Sequence, residues 1–180
     1  LVAIAEHGLV PSVQAARMTL AAAPEAWQGA MSAGLLGMGT VVAGSSETAG
    51  RYIAEVLAAG RENGGDIEKA ARASLEALKA SRAKVPGLGH PQHSSGDPRA
   101  NVLLALADEL GISGDHIRTL RVLGELAPGI IGRPLPINVS GAIPAVMLDA
   151  GWPLEAMKGI PLLARAAGLV AHLFEESQRS

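Results

Sequence analysis

Five side chains in this chain have types and positions suited to chemistry: His7, His90, Arg99, Arg165 and His172. They stand out because few polar residues interrupt an Ala- and Leu-rich sequence. Arg165 and His172 are seven residues apart, which places them on one face if that segment is helical. His90 lies in a Gly/Pro-rich segment, and Arg99 follows an Asp-Pro pair that reads as the start of a helix. Each of these residues alone fits an ordinary core or surface role. Together they form a set of imidazoles and cations without a paired catalytic carboxylate. A helix N-terminus presents free backbone N–H groups and the positive end of its dipole, and an Arg in that first turn can hold a carboxylate through two N–H groups. The set therefore points to an acidic small-molecule ligand.

Three competing motifs are weaker. His90, His93 and Asp97 could be a loop metal site, but no second His/Glu cluster at helical spacing supports it. Ser32 in Ala-Met-Ser-Ala-Gly lacks the first Gly of a nucleophile elbow and any strand before it. Gly34, Gly37 and Gly39 match no phosphate-binding fingerprint and serve better as close-packing positions.

The elements that must position these residues are helical. Apolar residues recur at three and four throughout, and no strand alternation survives inspection. The pattern predicts helices over about 12–23, 25–36, 48–59, 66–82, 97–110, 115–127 and 139–150, and a last one over 154–178 interrupted by Pro161. Loops are expected over 83–97 and around 128–136, where Gly and Pro concentrate. The fold class is all-α, and 180 residues suit one domain, 1–180. The sequence starts at Leu1 inside an apolar run, which reads as a fragment lacking its N-terminal part.

Bulk composition narrows the function. Net charge is −2 with no basic stretch, so no nucleic-acid footprint is expected. There is no cysteine, which excludes disulfides, thiolate metal sites and cysteine nucleophiles and is compatible with a cytoplasmic location. Aromatics are 2%, too few for stacking platforms. Residues 26–46 carry no charge and have spanning length, but their Ala, Gly, Ser and Thr content favours a close-packed helix over a membrane span.

Four segments carry a resemblance. VPGLGHPQHSSGDPRA at 85–100 resembles the citrate synthase signature Pro-Gly-x-Gly-His followed by Asp-Pro-Arg. AEHGLVPS at 5–12 resembles the family's Asp-His-Gly-x-x-x-Ser segment. PINVSGAIPAVMLDAG at 136–151 resembles its Asn-Val-Asp segment, and LARAAGLVAHLFEE at 163–176 its Ser-Arg-x-x-Gly-x-x-Ala-His segment. The likeness runs in order along nearly the whole chain and is nearest to short bacterial citryl-CoA lyases and citrate synthase-like proteins.

The resemblance implies a citrate synthase-like multi-helical domain, commonly a homodimer or higher homo-oligomer. It implies an acyltransferase or lyase acting on citryl-CoA or a close analogue, with CoA thioester as substrate and no further cofactor. His90 would be catalytic, polarising the keto-acid carbonyl or the citryl hydroxyl. His7, Arg99 and Arg165 would bind the polycarboxylate. The backbone of Val85, Pro86, Gly87, Leu88 and Gly89 would face the CoA adenine. Neither a metal, a nucleic acid nor a membrane partner is implied. Two positions depart from the family pattern. Val42 falls where the synthases carry a His that stabilises the enol oxygen, and Ser140 where they carry the Asp base. A polycarboxylate/acyl-CoA binding protein, non-catalytic or altered in specificity, is the alternative these replacements raise. Asp149, nine residues beyond Ser140, reads as structural.

Overall fold

In the computed structural model, residues 1–89 and 96–179 are described. Among them the chain forms nine α-helices, two short 3-10 turns and no strand, in agreement with the all-α expectation. The helices are α1 (Pro11–Ala22), α2 (Trp27–Leu36), α3 (Thr40–Ala43), α4 (Ser45–Glu62), α5 (Ile67–Ala80), α6 (Pro98–Glu109), α7 (Asp115–Ile131), α8 (Val139–Asp149) and α9 (Gly159–Ser177). They fall into two compact units: Leu1–Gly44 with Lys158–Ser180, and Ser45–Met157.

The first unit packs α1, α2 and α9 on one another. Val13, Ala16 and Leu20 of α1 meet Ala30 of α2 and Leu169 and Leu173 of α9 in a small apolar core. Gly34 lets the helices approach closely there: a Cβ on it would lie 2.8 Å from Leu169 Cδ1 and 3.0 Å from Ala16 Cβ. The uncharged stretch 26–46 is not one helix, because residues 37–39 separate α2 from α3. The segment Leu154–Ser177 is long and apolar enough to cross a membrane by length and composition. Its helix α9 packs against α1, α2 and the N-terminal turn Val2–Ile4.

The second unit holds the larger core. Ile53, Leu75, Ile117, Leu120 and Leu123, from α4, α5 and α7, are fully buried in it. Caps fix the helix starts. Asp66 accepts from Lys69 N at 2.9 Å, Asp97 from Arg99 N at 3.1 Å and Asn138 from Gly141 N at 3.1 Å. Asp149, at the end of α8, accepts from Gly114 N, His116 N and Ile117 N at 2.8–3.0 Å. It caps α7 from a distance and holds the His116 ring nitrogen Nδ1 at 2.8 Å. It is thus a structural fastening between two helices.

Several boundaries differ from the sequence expectation, each for a physical reason. The α7 helix runs through Pro128 to Ile131 and ends at Gly132, which takes the left-handed conformation at φ 87°. Gly60 lies inside α4, because its bare Cα lets α4 approach Ile67, 3.0 Å from where a Cβ would be. The last helix starts at Gly159, with Pro161 in its first turn, where a missing N–H removes no intrahelical bond.

Candidate functional site

In the second unit, the segment Val85–Gly89 lies against the entry to α8. Asn138 N donates to Gly87 O at 3.0 Å, and Gly89 N to Pro136 O at 2.7 Å. The Asn138 side chain joins both sides: Nδ2 donates to Gly89 O at 2.6 Å while Oδ1 caps Gly141 N. Gly87 and Gly89 take φ values of 81° and 75°, which favour glycine. Val85 and Leu88 point into the core, 6% and 7% exposed. This gives a rigid turn whose carbonyls at Gly87 and Gly89 are already bonded within the protein.

Asp97 ties the start of α6 to the start of α8. Its carboxylate is completely buried. Oδ1 accepts from Arg99 N and Nε, and Oδ2 accepts from Arg99 Nη2 and from Val139 N, the three side-chain and inter-helix bonds each at 2.9 Å. Burial pushes the carboxyl up, but the Arg99 guanidinium and the two backbone N–H groups outweigh it and leave the pKa at about 2. Asp97 is therefore ionised and fully engaged, which leaves it no lone pair for a metal at His93. The Arg99 fork that grips Asp97 uses Nε and Nη2, and among the described residues Nη1 has no hydrogen-bond partner.

Ser140 stands in the first turn of α8. Its Oγ lies 3.1 Å from Oγ of Ser45, the first residue of α4. Pro144 has no N–H, so the Ser140 carbonyl lacks its usual helical donor. The hydroxyl pair is neutral, and Ser140 itself is no base near neutral pH. Elsewhere in the same unit a groove of about 340 Å³ is lined by Gly96, Asn101, Arg121, Gly124, Glu125, Pro136 and Ile137.

In the first unit, His7 is exposed and sits just before α1. Glu6 Oε1 accepts from the backbone N–H groups of His7 and Gly8, and Oε2 faces His172 Nε2 at 2.8 Å. Burial raises the Glu6 carboxyl, and the N–H groups of Gly8 and His7 together with His172 bring it below its ordinary value. Arg165 donates from Nε to Ile4 O at 2.7 Å, and its Nη1 is buried without a partner among the described residues. Desolvation lowers its pKa, with Glu6 opposing. A half-buried guanidinium with an unfilled donor is well suited to an anion. By contrast, a groove of about 600 Å³ lined by Ser32, Leu35, Leu36, Leu162, Leu163 and Ala166 carries no titratable group among the described residues. Ser32 donates to Gln28 O at 2.8 Å, an ordinary helical back-bond that gives it no nucleophile's partner. Val42 is half-buried in α3.

His90 and His93 lie outside the described residues, and with them the expected catalytic imidazole. Among the described residues no cluster of three His, Asp or Glu side chains is arranged to hold a metal. The sequence singled out Arg99, Arg165 and His7 but missed their supports: Asp97 as a buried anchor, Glu6, Asn138 and Arg17. Arg17 was findable, because it falls at an apolar position of α1 beside Val13, Ala16 and Leu20. It pairs there with Glu175 and with Glu176 at 2.7 Å.

All-α packing, a Pro-Gly-Leu-Gly turn pinned to an Asn-capped helix and separate cationic positions at Arg99 and Arg165 define a helical domain. The whole chain, residues 1–180, matches the family described as citrate synthase, C-terminal domain. It belongs to the citrate synthase family. Citryl-CoA lyase from Hydrogenobacter thermophilus is similar at 29% identity and TM-score 0.88, over 99% of this chain and 67% of that one. Citrate synthase from Thermotoga maritima shares the fold at 22% identity and TM-score 0.72, over 96% of this chain and 46% of that one. ATP citrate lyase from Methanothrix soehngenii, solved with citrate and coenzyme A, shares it at 22% identity and TM-score 0.73, over 97% of this chain and 29% of that one. The chain thus spans two thirds of one such protein and less than half of the other two. No curated protein matches the sequence.

Proposed function

We propose that the protein makes or cleaves a carbon–carbon bond beside a CoA thioester, with citryl-CoA, or acetyl-CoA and oxaloacetate, as reactants or close analogues of them. The observation that carries this is the similarity over the full chain to a citryl-CoA lyase, with the Pro-Gly-x-Gly-His and Asp-Pro-Arg motifs intact. In the cleavage direction the citryl hydroxyl loses a proton, the carbon–carbon bond breaks, and its electron pair passes to the thioester as an enolate. That enolate then takes up a proton to give acetyl-CoA, and the former hydroxyl carbon becomes the ketone of oxaloacetate. His90 serves the hydroxyl or carbonyl oxygen. His7, the Nη1 edge of Arg99 and the Nη1 of Arg165 take the carboxylates. The turn Val85–Gly89 faces the CoA. No metal or redox group enters the chemistry, and the working form is a homo-oligomer in the cytoplasm.

A second reading is favoured by Ser140 and Val42. A neutral Ser140–Ser45 hydroxyl pair where the synthases carry an Asp base suits a protein that binds polycarboxylate and CoA without turnover. A lost general base typically costs 10²–10⁴-fold, roughly, in rate. Calorimetric titration with CoA, and separately with oxaloacetate and citrate, tests what both readings share. Saturable binding of CoA and of one acid is expected. Binding of neither would sink both.

A further inference from the structure

Three consecutive residues before His7 are held by one face of α9. Arg165 Nε donates to Ile4 O at 2.7 Å. The Ala5 carbonyl sits where a Cβ on Gly168 would be, so only glycine leaves room for it. His172 meets the Glu6 carboxylate at 2.8 Å. Residues 165, 168 and 172 recur at three and four and form a single stripe. Glu6 in turn bonds the backbone N–H groups of His7 and Gly8.

We infer that His172 is a positioning residue for His7, acting through Glu6. His172 is largely buried, its side chain 14% exposed. Its Nδ1 faces Arg17 Nη1 at 3.4 Å. A guanidinium only donates, so Nδ1 is the acceptor and Nε2 carries the proton that goes to Glu6. The neutral tautomer is thereby selected, and the ring becomes a fixed strut from α1 to the Glu6 carboxylate. Arg17 is held in place by Glu175, which accepts from the same Nη1, and by Glu176, which accepts from Nε. The chain Arg17–His172–Glu6 then sets the backbone at His7 and Gly8, and with it where the imidazole of His7 stands. This inference rests on the polycarboxylate reading only for what His7 touches; the strut itself does not depend on it.

The test uses the full chain with His172→Ala, His172→Gln and Glu6→Gln. Glutamine at 172 offers a carbonyl oxygen to Arg17 and an amide N–H to Glu6, as the neutral ring does. Hydrogen exchange at the His7 and Gly8 amides is measured beside the affinities for citrate and CoA. His172→Ala and Glu6→Gln are expected to speed exchange at these two amides about tenfold and weaken citrate about tenfold, with CoA unchanged. His172→Gln is expected to restore both to within about twofold. Unchanged exchange in both disruptive variants, or a glutamine variant as defective as alanine, would overturn the inference. So would faster exchange with undiminished citrate affinity in a wild type that binds citrate. If exchange responds as expected but the wild type binds no citrate or oxaloacetate, the strut stands and the polycarboxylate reading falls. Should His172→Ala fail to fold, the exposed Glu6→Gln decides.

Discussion

Asp97 shows how much a single residue does beneath the ligand-facing ones. It caps α6, grips the Arg99 fork and receives the first N–H of α8, all from a carboxylate with no exposed surface. Its pKa falls from 3.8 to about 2 in the folded protein. A depressed carboxylate contributes stability that is present above its unfolded value and is lost as pH falls through the folded one. About 2 kcal/mol should therefore disappear between pH near 4 and pH near 2. Asp97→Asn should lower the melting temperature at neutral pH and flatten the acid limb in that window, as thermal melts against pH would show. An unchanged acid limb would mean that Asp97 is not the group being protonated. None of this was legible from Asp-Pro-Arg beyond a cap and an Arg. A bidentate bond between residues two apart depends on the turn the chain makes at Pro98, and burial depends on α8 arriving from 42 residues away. His172 is similar. Its place on the Arg165 face was readable from spacing, but Glu6 as its partner was not.

Helices were the most legible level, because the three–four periodicity and the Asp and Asn caps act locally. The misplacements occur where tertiary packing overrides a local signal. Pro128 and Gly129 read as a loop, yet both lie in the last turn and a half of α7. Gly60 read as a terminus and is a contact point with Ile67. Glycines in helices therefore fall into two kinds, which a pair of substitutions separates. Gly141 in α8 would place a Cβ 2.5 Å from Gly87 O, against backbone that is held by Asn138. Gly129 in α7 has nothing within 4 Å. Helix propensity alone favours alanine at both by about 1 kcal/mol. Gly141→Ala should instead destabilise by about 2 kcal/mol through overpacking, whereas Gly129→Ala should be neutral to stabilising. Denaturant unfolding of the two variants checks the pair. Equal effects would show that the Val85–Gly89 turn is not pinned to α8 as closely as the hydrogen bonds indicate.

At the scale of the whole molecule, the family was legible because its signature combines rare residue types in a fixed order. Pro-Gly-x-Gly-His and Asp-Pro-Arg require a turn, an imidazole and a capped helix with an Arg in its first turn. The all-α fold and the match over 1–180 agree with that reading. The division into two compact units was not legible, since the Gly44–Ser45 boundary has no linker composition. What a sequence alone could not supply is whether Val42 and Ser140 leave a working enzyme. The direct test is citryl-CoA cleavage by the protein, with released oxaloacetate read through malate dehydrogenase and His90→Ala beside it. The predicted result is turnover that is lost in His90→Ala and unaffected by chelators. The contradicting result is a wild type that binds CoA and citrate yet releases no oxaloacetate, which would leave a binding protein built on the citrate synthase fold.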